Sequence, residues 1–377
     1  MTLDTLPTPA VLIERSRVFA NLDRIHGMAA RKGIRMRPHA KTHKSPRVAA
    51  WQLERGAAGI CCAKLGEAEV FADAGFKDIR LPYPINPANA DRVVSLLDRT
   101  RLSFIVDHPA VARCWSRAMQ AAGREVDVLV KVDVGYHRCG IDPDAAGAVP
   151  FLQEVAALPG LRLRGLLLHA GQAYTATSEE HLRQIAADEA RILAALAARA
   201  REAGVAIEEI SAGATPTARF SLAEDGLTEY RCGNYAYFDR TQVGLGAATP
   251  DDCALSVLAT VVSKAAADRL VLDCGSKTLS SDQARGFSPL PGFGAVIPGT
   301  ALRKGTAADP GLIVERLSEE HAVVGLAGGA TALEPGDRVR LIPNHSCVVS
   351  NLVDQVWLVD GDTVLESLPV AARGRIQ

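Results

Sequence analysis

The sequence predicts an α/β protein made of a (β/α)8 TIM-like barrel followed by a β-rich C-terminal domain. Three observations support this fold class. Eight short, mostly apolar runs recur between positions 35 and 231, and amphipathic segments separate most of them, which is the pattern of a buried parallel sheet. At 377 residues, the chain exceeds the size at which one hydrophobic core stops growing. Beyond about Thr249, β-branched runs alternate with Gly, Pro and Asp and show little helical periodicity.

The elements follow in order along the chain. A strand-like run at 9–12 precedes a helix with an apolar stripe over 16–32. Barrel strands are expected in the first half of 35–44 and at 58–63, 78–81, 102–106, 126–132, 163–168, 208–211 and 228–231. Helices are expected at 48–55, 66–74, 86–97, 110–122, 145–158 and 178–203. Eight such units favour a closed barrel over an open sheet.

The second domain is expected to contain strands at 255–262, 270–272, 339–342, 356–359 and 364–366. The predicted domains are a barrel over 1–248 and a β-rich domain over 249–377, and the strand near the start of the chain is a candidate member of the β-rich domain.

The composition favours a protein that acts on a small molecule. The net charge is −1 without a basic block, so the chain has no electrostatic footprint for nucleic acid or an anionic membrane. The first residues do not resemble a secretory signal, and apolar runs stay shorter than the roughly 18 residues that a membrane helix needs. The eight cysteines are scattered without a C-x-x-C motif. We expect reduced, mostly buried thiols in a cytoplasmic protein.

The first candidate functional residue is Lys41, in the segment Arg35–Lys44. Pro38 suits the end of a strand, so Lys41 is expected at or just past the carboxyl end, where barrels carry their chemistry. Neighbouring cations at Arg35, Arg37 and Lys44 would lower its pKa, and such an amine can form a Schiff base with a carbonyl cofactor. The alternative from these ten residues alone is a solvated basic loop.

Two turns after late strands could bind a phosphate. Gly213–Thr217 combines small residues with hydroxyl groups, and Thr215 could add its hydroxyl to backbone amides that point at an anion. Gly233 and Asn234 follow the next strand. Glycine-rich turns also commonly connect secondary-structure elements without binding anything. A phosphate site and simple connecting turns are therefore both possible interpretations of these residues.

A third candidate lies in the second domain, at His345 and Cys347. On an extended chain, residues i and i+2 face the same side, so both side chains could reach one cation. An imidazole and a thiolate suit zinc. The alternative is a histidine and a buried thiol without a metal. His39 and His43 have the i, i+4 spacing that helical zinc sites use. Because they follow a strand, we expect them to line the pocket or to pack in the interior without binding a metal.

These motifs together resemble the D-threonine aldolase and D-serine dehydratase family. The resemblance spans essentially the whole chain, and the segments that carry it are Arg37–Lys44, Gly59–Lys64, Val132–Gly135 with Arg138–Gly140, and the His345/Cys347 pair. It implies an alanine-racemase-like barrel with pyridoxal 5′-phosphate (PLP) on Lys41. It also implies a divalent metal on His345 and Cys347, and a homodimer whose pockets are completed by the partner subunit. Zinc is expected, with manganese and magnesium as alternatives.

The resemblance also assigns roles and a reaction class. Arg138 is expected near the cofactor or the substrate carboxylate, Gln172 and Tyr174 along the cofactor ring, and Thr215, Gly233 and Asn234 at the phosphate. The His-x-Cys pair and the turn after position 211 resemble the dehydratases more than the aldolases, although Ala214 replaces a serine of the dehydratase turn. A PLP- and metal-dependent lyase that removes water from D-β-hydroxy-α-amino acids, such as D-serine or D-threo-3-hydroxyaspartate, is therefore expected, with D-threonine aldolase as the first alternative. A metal-independent racemase and a non-catalytic PLP-binding protein are the others.

Overall fold

The computed structural model describes residues 2–377. The chain begins with strand β1 (Ala10–Glu14) and helix α1 (Arg15–Arg31), and then alternates between strands and helices. The strands of this alternating part are β2 (Arg35–Met36), β3 (Ile60–Cys61), β4 (Asp78–Pro84), β5 (Arg101–Val106), β6 (Val126–Val132), β7 (Leu161–Leu168), β8 (Glu209–Ala212) and β9 (Glu229–Tyr230). The helices are α2 (Pro46–Glu54), α3 (Leu65–Asp73), α4 (Ala90–Leu97), α5 (Pro109–Ala121), α6 (Ala148–Ala157), α7 (Glu179–Glu202), α8 (Ala218–Ser221) and α9 (Arg240–Gly244).

Strands β2 to β9 form one parallel sheet in the order β2-β9-β8-β7-β6-β5-β4-β3. An isolated parallel bridge between His39 and Cys61 joins the two ends of this sheet, and the Cys61 N–H donates to the Pro38 carbonyl at 2.8 Å. The sheet therefore curls into the barrel that the alternating pattern predicts. Strands β2, β3 and β9 are only two residues long, shorter than expected, because the chain turns away towards the barrel mouth directly after them.

Charged side chains fill part of the barrel interior. Arg80 on β4 contacts Glu209 on β8 at 2.7 Å and also pairs with Glu229 on β9. Arg37 contacts the same Glu229 at 2.7 Å, and all four side chains are buried. Because β4 and β8 are not neighbours in the sheet, these ion pairs cross the interior. They form a polar floor beneath the open end of the barrel.

The second sheet contains most of the chain after residue 254. Its further strands are β10 (Leu255–Ala266), β11 (Arg269–Leu272), β12 (Gly294–Pro298), β13 (Leu312–Leu317), β14 (Ala322–Leu326), β15 (Arg338–Pro343), β16 (Gln355–Asp360) and β17 (Thr363–Pro369), with helices α10 (Ser276–Leu279) and α11 (Ser346–Leu352). Strand β1 lies in this sheet, antiparallel to β10 and parallel to β16. The sequence did not predict β12, β13, β14 or α11.

The cysteines agree with the expectation of mostly buried thiols. All eight cysteines within residues 2–377 are free thiols, and five of them are buried. Across the same residues, the helices lack the combination of length and apolarity that a bilayer crossing requires.

Candidate active site

A cavity of about 690 Å³ lies at the carboxyl ends of the barrel strands, and residues of the second domain form part of its wall. Eight of the nine side chains predicted from the sequence line this cavity, namely Lys41, Arg138, Tyr174, Thr215, Gly233, Asn234, His345 and Cys347. The exception is Gln172. The fold thus brings residues from five βα loops and from the β-rich domain into one space.

Lys41 lies just past the end of β2, as its sequence context predicts. The chain leaves β2 in an extended conformation and forms a 3-10 turn at Ala40–Thr42, and the Lys41 N–H donates to His39 Nδ1 at 3.3 Å. The Lys41 side chain is exposed to the cavity. This turn therefore delivers an amine to the barrel mouth.

The pKa of Lys41 is lowered, as predicted, but the predicted cause is wrong. Lys41 is open to the cavity but surrounded by protein atoms, and the resulting loss of hydration is the largest cause. The positive charges of Arg138 and Arg231 add to it, while Cys347 and Glu67 oppose it. The cations expected to crowd Lys41 pair with acids instead. Arg35 pairs with Glu209 at 3.8 Å, Arg37 pairs with Glu229, and Lys44 contacts Glu67 at 2.7 Å.

The two predicted phosphate turns lie side by side at the mouth, because β8 and β9 are neighbours in the sheet. The backbone N–H groups of Thr215, Gly233 and Asn234 have no hydrogen-bond acceptor among the described residues. Thr215 is buried and lines the cavity. A Cβ at Gly233 would stand only 3.0 Å from His39 and 3.1 Å from Thr42 Oγ1, so the close approach requires glycine. Three free amides on two adjacent buried turns fit a phosphate group.

Two details of this cradle differ from expectation. The Ala214 N–H donates to the Tyr230 hydroxyl at 3.3 Å, so this amide is already used. The Asn234 side chain is directed away from a phosphate, because its Nδ2 donates to Asp239 at 2.6 Å and lies 3.4 Å from Cys347 Sγ. Its Oδ1 is buried without a hydrogen-bond partner among the described residues. Only the backbone of Asn234 can serve the cradle.

The predicted metal pair lies on a turn into a helix, not on an extended strand. His345 is extended and immediately precedes α11, whereas Cys347 lies in the first turn of that helix. The extended-chain argument for the pair is therefore wrong. Both side chains nevertheless line the same cavity. Asp239 holds this turn, since its carboxylate accepts from the Ser346 N–H at 3.0 Å.

The surroundings of this pair favour a positive charge. Asp282 Oδ2 lies 2.6 Å from His345 Nδ1, and such a carboxylate typically fixes the tautomer and orientation of a ligating imidazole. Burial opposes protonation of His345, but Cys347, Asp239 and Asp282 favour it and raise its pKa to about 10. Burial also raises the pKa of Cys347, but the neighbouring His345 and its positive charge outweigh it, so that the net shift is downward. The thiolate is the form that binds metals, so a thiol that ionises readily suits a metal site.

This donor set fits a metal with open coordination positions. Among residues 2–377, no group of three or more His, Cys, Asp or Glu side chains could hold a metal. Two protein ligands leave positions for water and substrate, and an open position distinguishes catalytic from structural metal sites. The nitrogen and sulfur ligands suit zinc better than magnesium.

One contact links the metal pair to the lysine turn. Thr42 Oγ1 lies 3.2 Å from Cys347 Sγ, and the two residues come from the barrel and from the β-rich domain. Thr42 directly follows Lys41 in the chain. The turn that carries Lys41 therefore contacts the thiol across the boundary between the barrel and the second sheet.

The remaining predicted residues divide into two groups. Arg138 is exposed at the mouth and stacks over the Tyr136 ring, 5.3 Å from its centre, and Tyr174 is half-buried in the cavity wall. Gln172 does not reach the cavity, because its Nε2 donates to the Val134 carbonyl at 2.9 Å. We therefore reassign Gln172 to support of the loop that carries Arg138.

Several cavity residues were not assigned a role from the sequence. Lys131 is buried on β6, and burial, aided by Arg231, lowers its pKa to about 7. A lysine within the apolar run 126–132 could have indicated this site. Arg231 donates through Nε to Ser211 at 2.7 Å. Asp239 and Asp282 had no sequence signal, because each lies in an irregular segment.

The comparisons with known proteins agree with this geometry. The family model for the N-terminal domain of alanine racemase matches residues 13–241, and the model for a putative serine dehydratase domain matches residues 254–359. The chain is 34% identical to a D-threonine aldolase from Arthrobacter sp, covering 99% of this chain and 94% of that protein. It is also 34% identical to a D-threo-3-hydroxyaspartate dehydratase from Delftia sp. (strain HT23), covering 92% of each.

Solved structures give the same result. The structure of the Delftia dehydratase matches with a TM-score of 0.90 at 31% identity and covers 98% of both chains. A D-threo-3-hydroxyaspartate dehydratase mutant with a cysteine replaced, solved in the metal-free form, matches with a TM-score of 0.91, also at 31% identity and 98% coverage of both chains. The chain therefore belongs to the alanine-racemase-like family of PLP enzymes that includes the D-threonine aldolases and D-serine dehydratases.

Proposed function

We propose that this protein is a PLP- and divalent-metal-dependent lyase that removes water from D-β-hydroxy-α-amino acids, such as D-serine and D-threo-3-hydroxyaspartate. The observation that carries the proposal is the 3.2 Å contact between Thr42 Oγ1 and Cys347 Sγ. This contact supports the proposal because it joins the turn that carries Lys41 to the His345/Cys347 pair, and the three residues line a single cavity. A racemase needs the first group but has no use for the second.

Each part of the cavity has a task in this reaction. PLP, when bound, would withdraw electrons from the substrate Cα. Lys41 would hold the cofactor and, once displaced by the substrate amine, would accept the Cα proton, since its lowered pKa favours the neutral amine. The free amides of Thr215 and Gly233 would hold the phosphate. Arg138 would bind a carboxylate at the mouth.

His345 and Cys347 would position a divalent metal, most suitably zinc, against the β-oxygen of the substrate. A metal there would act as a Lewis acid and stabilise the departing hydroxyl. Loss of the Cα proton and of the β-hydroxyl together yields an enamine, which hydrolyses to a 2-oxo acid and ammonia. The relatives that are dehydratases and the His-x-Cys pair support this reaction over aldol cleavage.

The second candidate is a D-threonine aldolase, which the Arthrobacter relative favours. In that reaction the Cα–Cβ bond breaks and glycine is released with an aldehyde. The two reactions use the same cavity residues and differ in their products. Incubation of the metal-loaded protein with D-serine, D-threonine and D-threo-3-hydroxyaspartate therefore decides between them. Pyruvate or oxaloacetate with ammonia is the expected result, and glycine with acetaldehyde or glyoxylate would contradict dehydration.

We also propose that the enzyme works as a cytoplasmic homodimer. The free thiols support a reducing compartment, and the exposed mouth residues Tyr83, Tyr136 and Arg138 leave room for a partner subunit to complete the pocket. Light scattering of the holoenzyme should give a mass twice that of the 39.9 kDa chain.

A further inference from the structure

We propose that residues 370–377, here called the strap, form the wall against which the β-substituent of the substrate packs, with Ile376 as the specificity-determining side chain. This inference rests on the proposed function and deepens it, because it assigns the part of the cavity that distinguishes one D-amino acid from another.

The strap is anchored on three elements that surround the cavity. The Ala372 N–H donates to the Lys44 carbonyl at 3.0 Å, in the loop that carries Lys41. The Gly374 N–H donates to Asn351 Oδ1 at 3.2 Å, on α11. The Gly66 N–H, at the start of α3, donates to the Gln377 carbonyl at 2.8 Å. The strap therefore runs from the β-rich domain back across the barrel mouth.

The contact with α3 depends on a small residue. A Cβ added at Gly66 would lie 3.3 Å from both Arg375 Cβ and the Gln377 carbonyl oxygen. Gly66 is buried and lies within the first turn of α3, where glycine costs helix stability relative to alanine. Its presence there is explained by the close approach of the strap.

Ile376 is the strap side chain that reaches the cavity. It lines the cavity wall and is 61% exposed, so it offers an uncovered apolar surface at the mouth. The strap is bound to Asn351, which lies one helical turn from Cys347 on α11. Ile376 is thus on the side of the cavity that carries the proposed metal ligands. A substrate whose β-oxygen points to that side directs its β-substituent to the same region.

The test measures binding of two D-amino acids that cannot lose water, D-alanine and D-phenylalanine, through the absorbance change of the PLP-loaded protein. The Ile376→Trp variant should raise the Kd of D-phenylalanine relative to D-alanine about tenfold, the discrimination that a change of one or two methylene groups gives in an apolar pocket. Ile376→Ala should shift this ratio the other way. Leu365→Trp is the matched control, because Leu365 is an exposed apolar residue on β17 away from the cavity.

The inference would be overturned if both Ile376 variants changed the two Kd values equally. It would also be overturned if the ratio of the D-phenylalanine Kd to the D-alanine Kd stayed within about twofold of the unmutated protein in both variants. Because neither ligand has a leaving group at Cβ, this readout is independent of turnover. Absence of any turnover of D-β-hydroxy-α-amino acids would contradict the proposed function instead. The two failures are therefore distinguishable.

Discussion

The Asp282→Ala substitution should weaken zinc binding while leaving the fold intact. Asp282 is 2.6 Å from His345 Nδ1, and both side chains are nearly half exposed, at 47% and 42%. Loss of a carboxylate that orients a ligating histidine typically costs about 10–100-fold in metal affinity, which is about 1.4–2.7 kcal/mol. An exposed pair of this kind stabilises the fold by less than about 1 kcal/mol. Zinc affinity should therefore fall while the Tm of the metal-free protein hardly changes.

The assay is competition for zinc between the protein and a chromophoric chelator. The Asp282→Asn variant should lose less affinity than the alanine variant, because an amide oxygen can still accept from the imidazole. Asp360→Ala is the matched control, since Asp360 forms an exposed ion pair with Arg15 that has no part in the cavity. Unchanged zinc affinity in Asp282→Ala would refute the assignment of His345 as an oriented metal ligand.

Three further predictions concern the amine, the thiol and a buried histidine. Lys41→Ala should abolish the visible absorbance of the PLP-loaded protein, and a retained band would place the cofactor on another lysine. Cys347→Ser should reduce zinc affinity because a hydroxyl is a weaker zinc ligand than a thiolate. Chelation of zinc from the unmutated protein should stop turnover without removing the cofactor absorbance. Turnover that survives chelation would favour a racemase. Burial lowers the pKa of His43 from 6.5 to about 4. Between these pH values the unfolded chain therefore binds more protons than the folded protein does. The free energy of unfolding should fall by about 3 kcal/mol as the pH drops from 6.5 towards 4. Urea unfolding of His43→Gln should show a flatter pH dependence in this range, and an unchanged slope would contradict the assignment.

The barrel is predictable from the sequence because its strands and helices each bury an apolar face. The expected strand at 126–132 coincides with β6. Asn86, the first residue of the helix expected at 86–97, caps a 3-10 turn there by accepting from the Ala88 N–H at 3.0 Å. The carboxyl ends of the parallel strands of a barrel meet at one edge, and this geometric rule is sufficient to place Lys41 and Thr215 at a common mouth.

The missed features depend on long-range packing. Helix α11 has the sequence S-C-V-V-S-N-L, and its two adjacent valines favour strand over helix. The helix forms because the Asp239 carboxylate, from the barrel, accepts from the Ser346 N–H and holds its first turn. The same carboxylate accepts a hydrogen bond from Asn234 Nδ2, so that this side chain does not contribute to the phosphate cradle. Neither effect leaves a local pattern in the sequence.

The most direct test of the central claim is a crystal structure of the PLP- and zinc-loaded protein measured at the zinc absorption edge. We expect cofactor density continuous with Lys41 Nζ and an anomalous peak bound by His345 and Cys347, both within the same cavity. Cofactor attached to Lys131, or zinc bound away from that cavity, would contradict it.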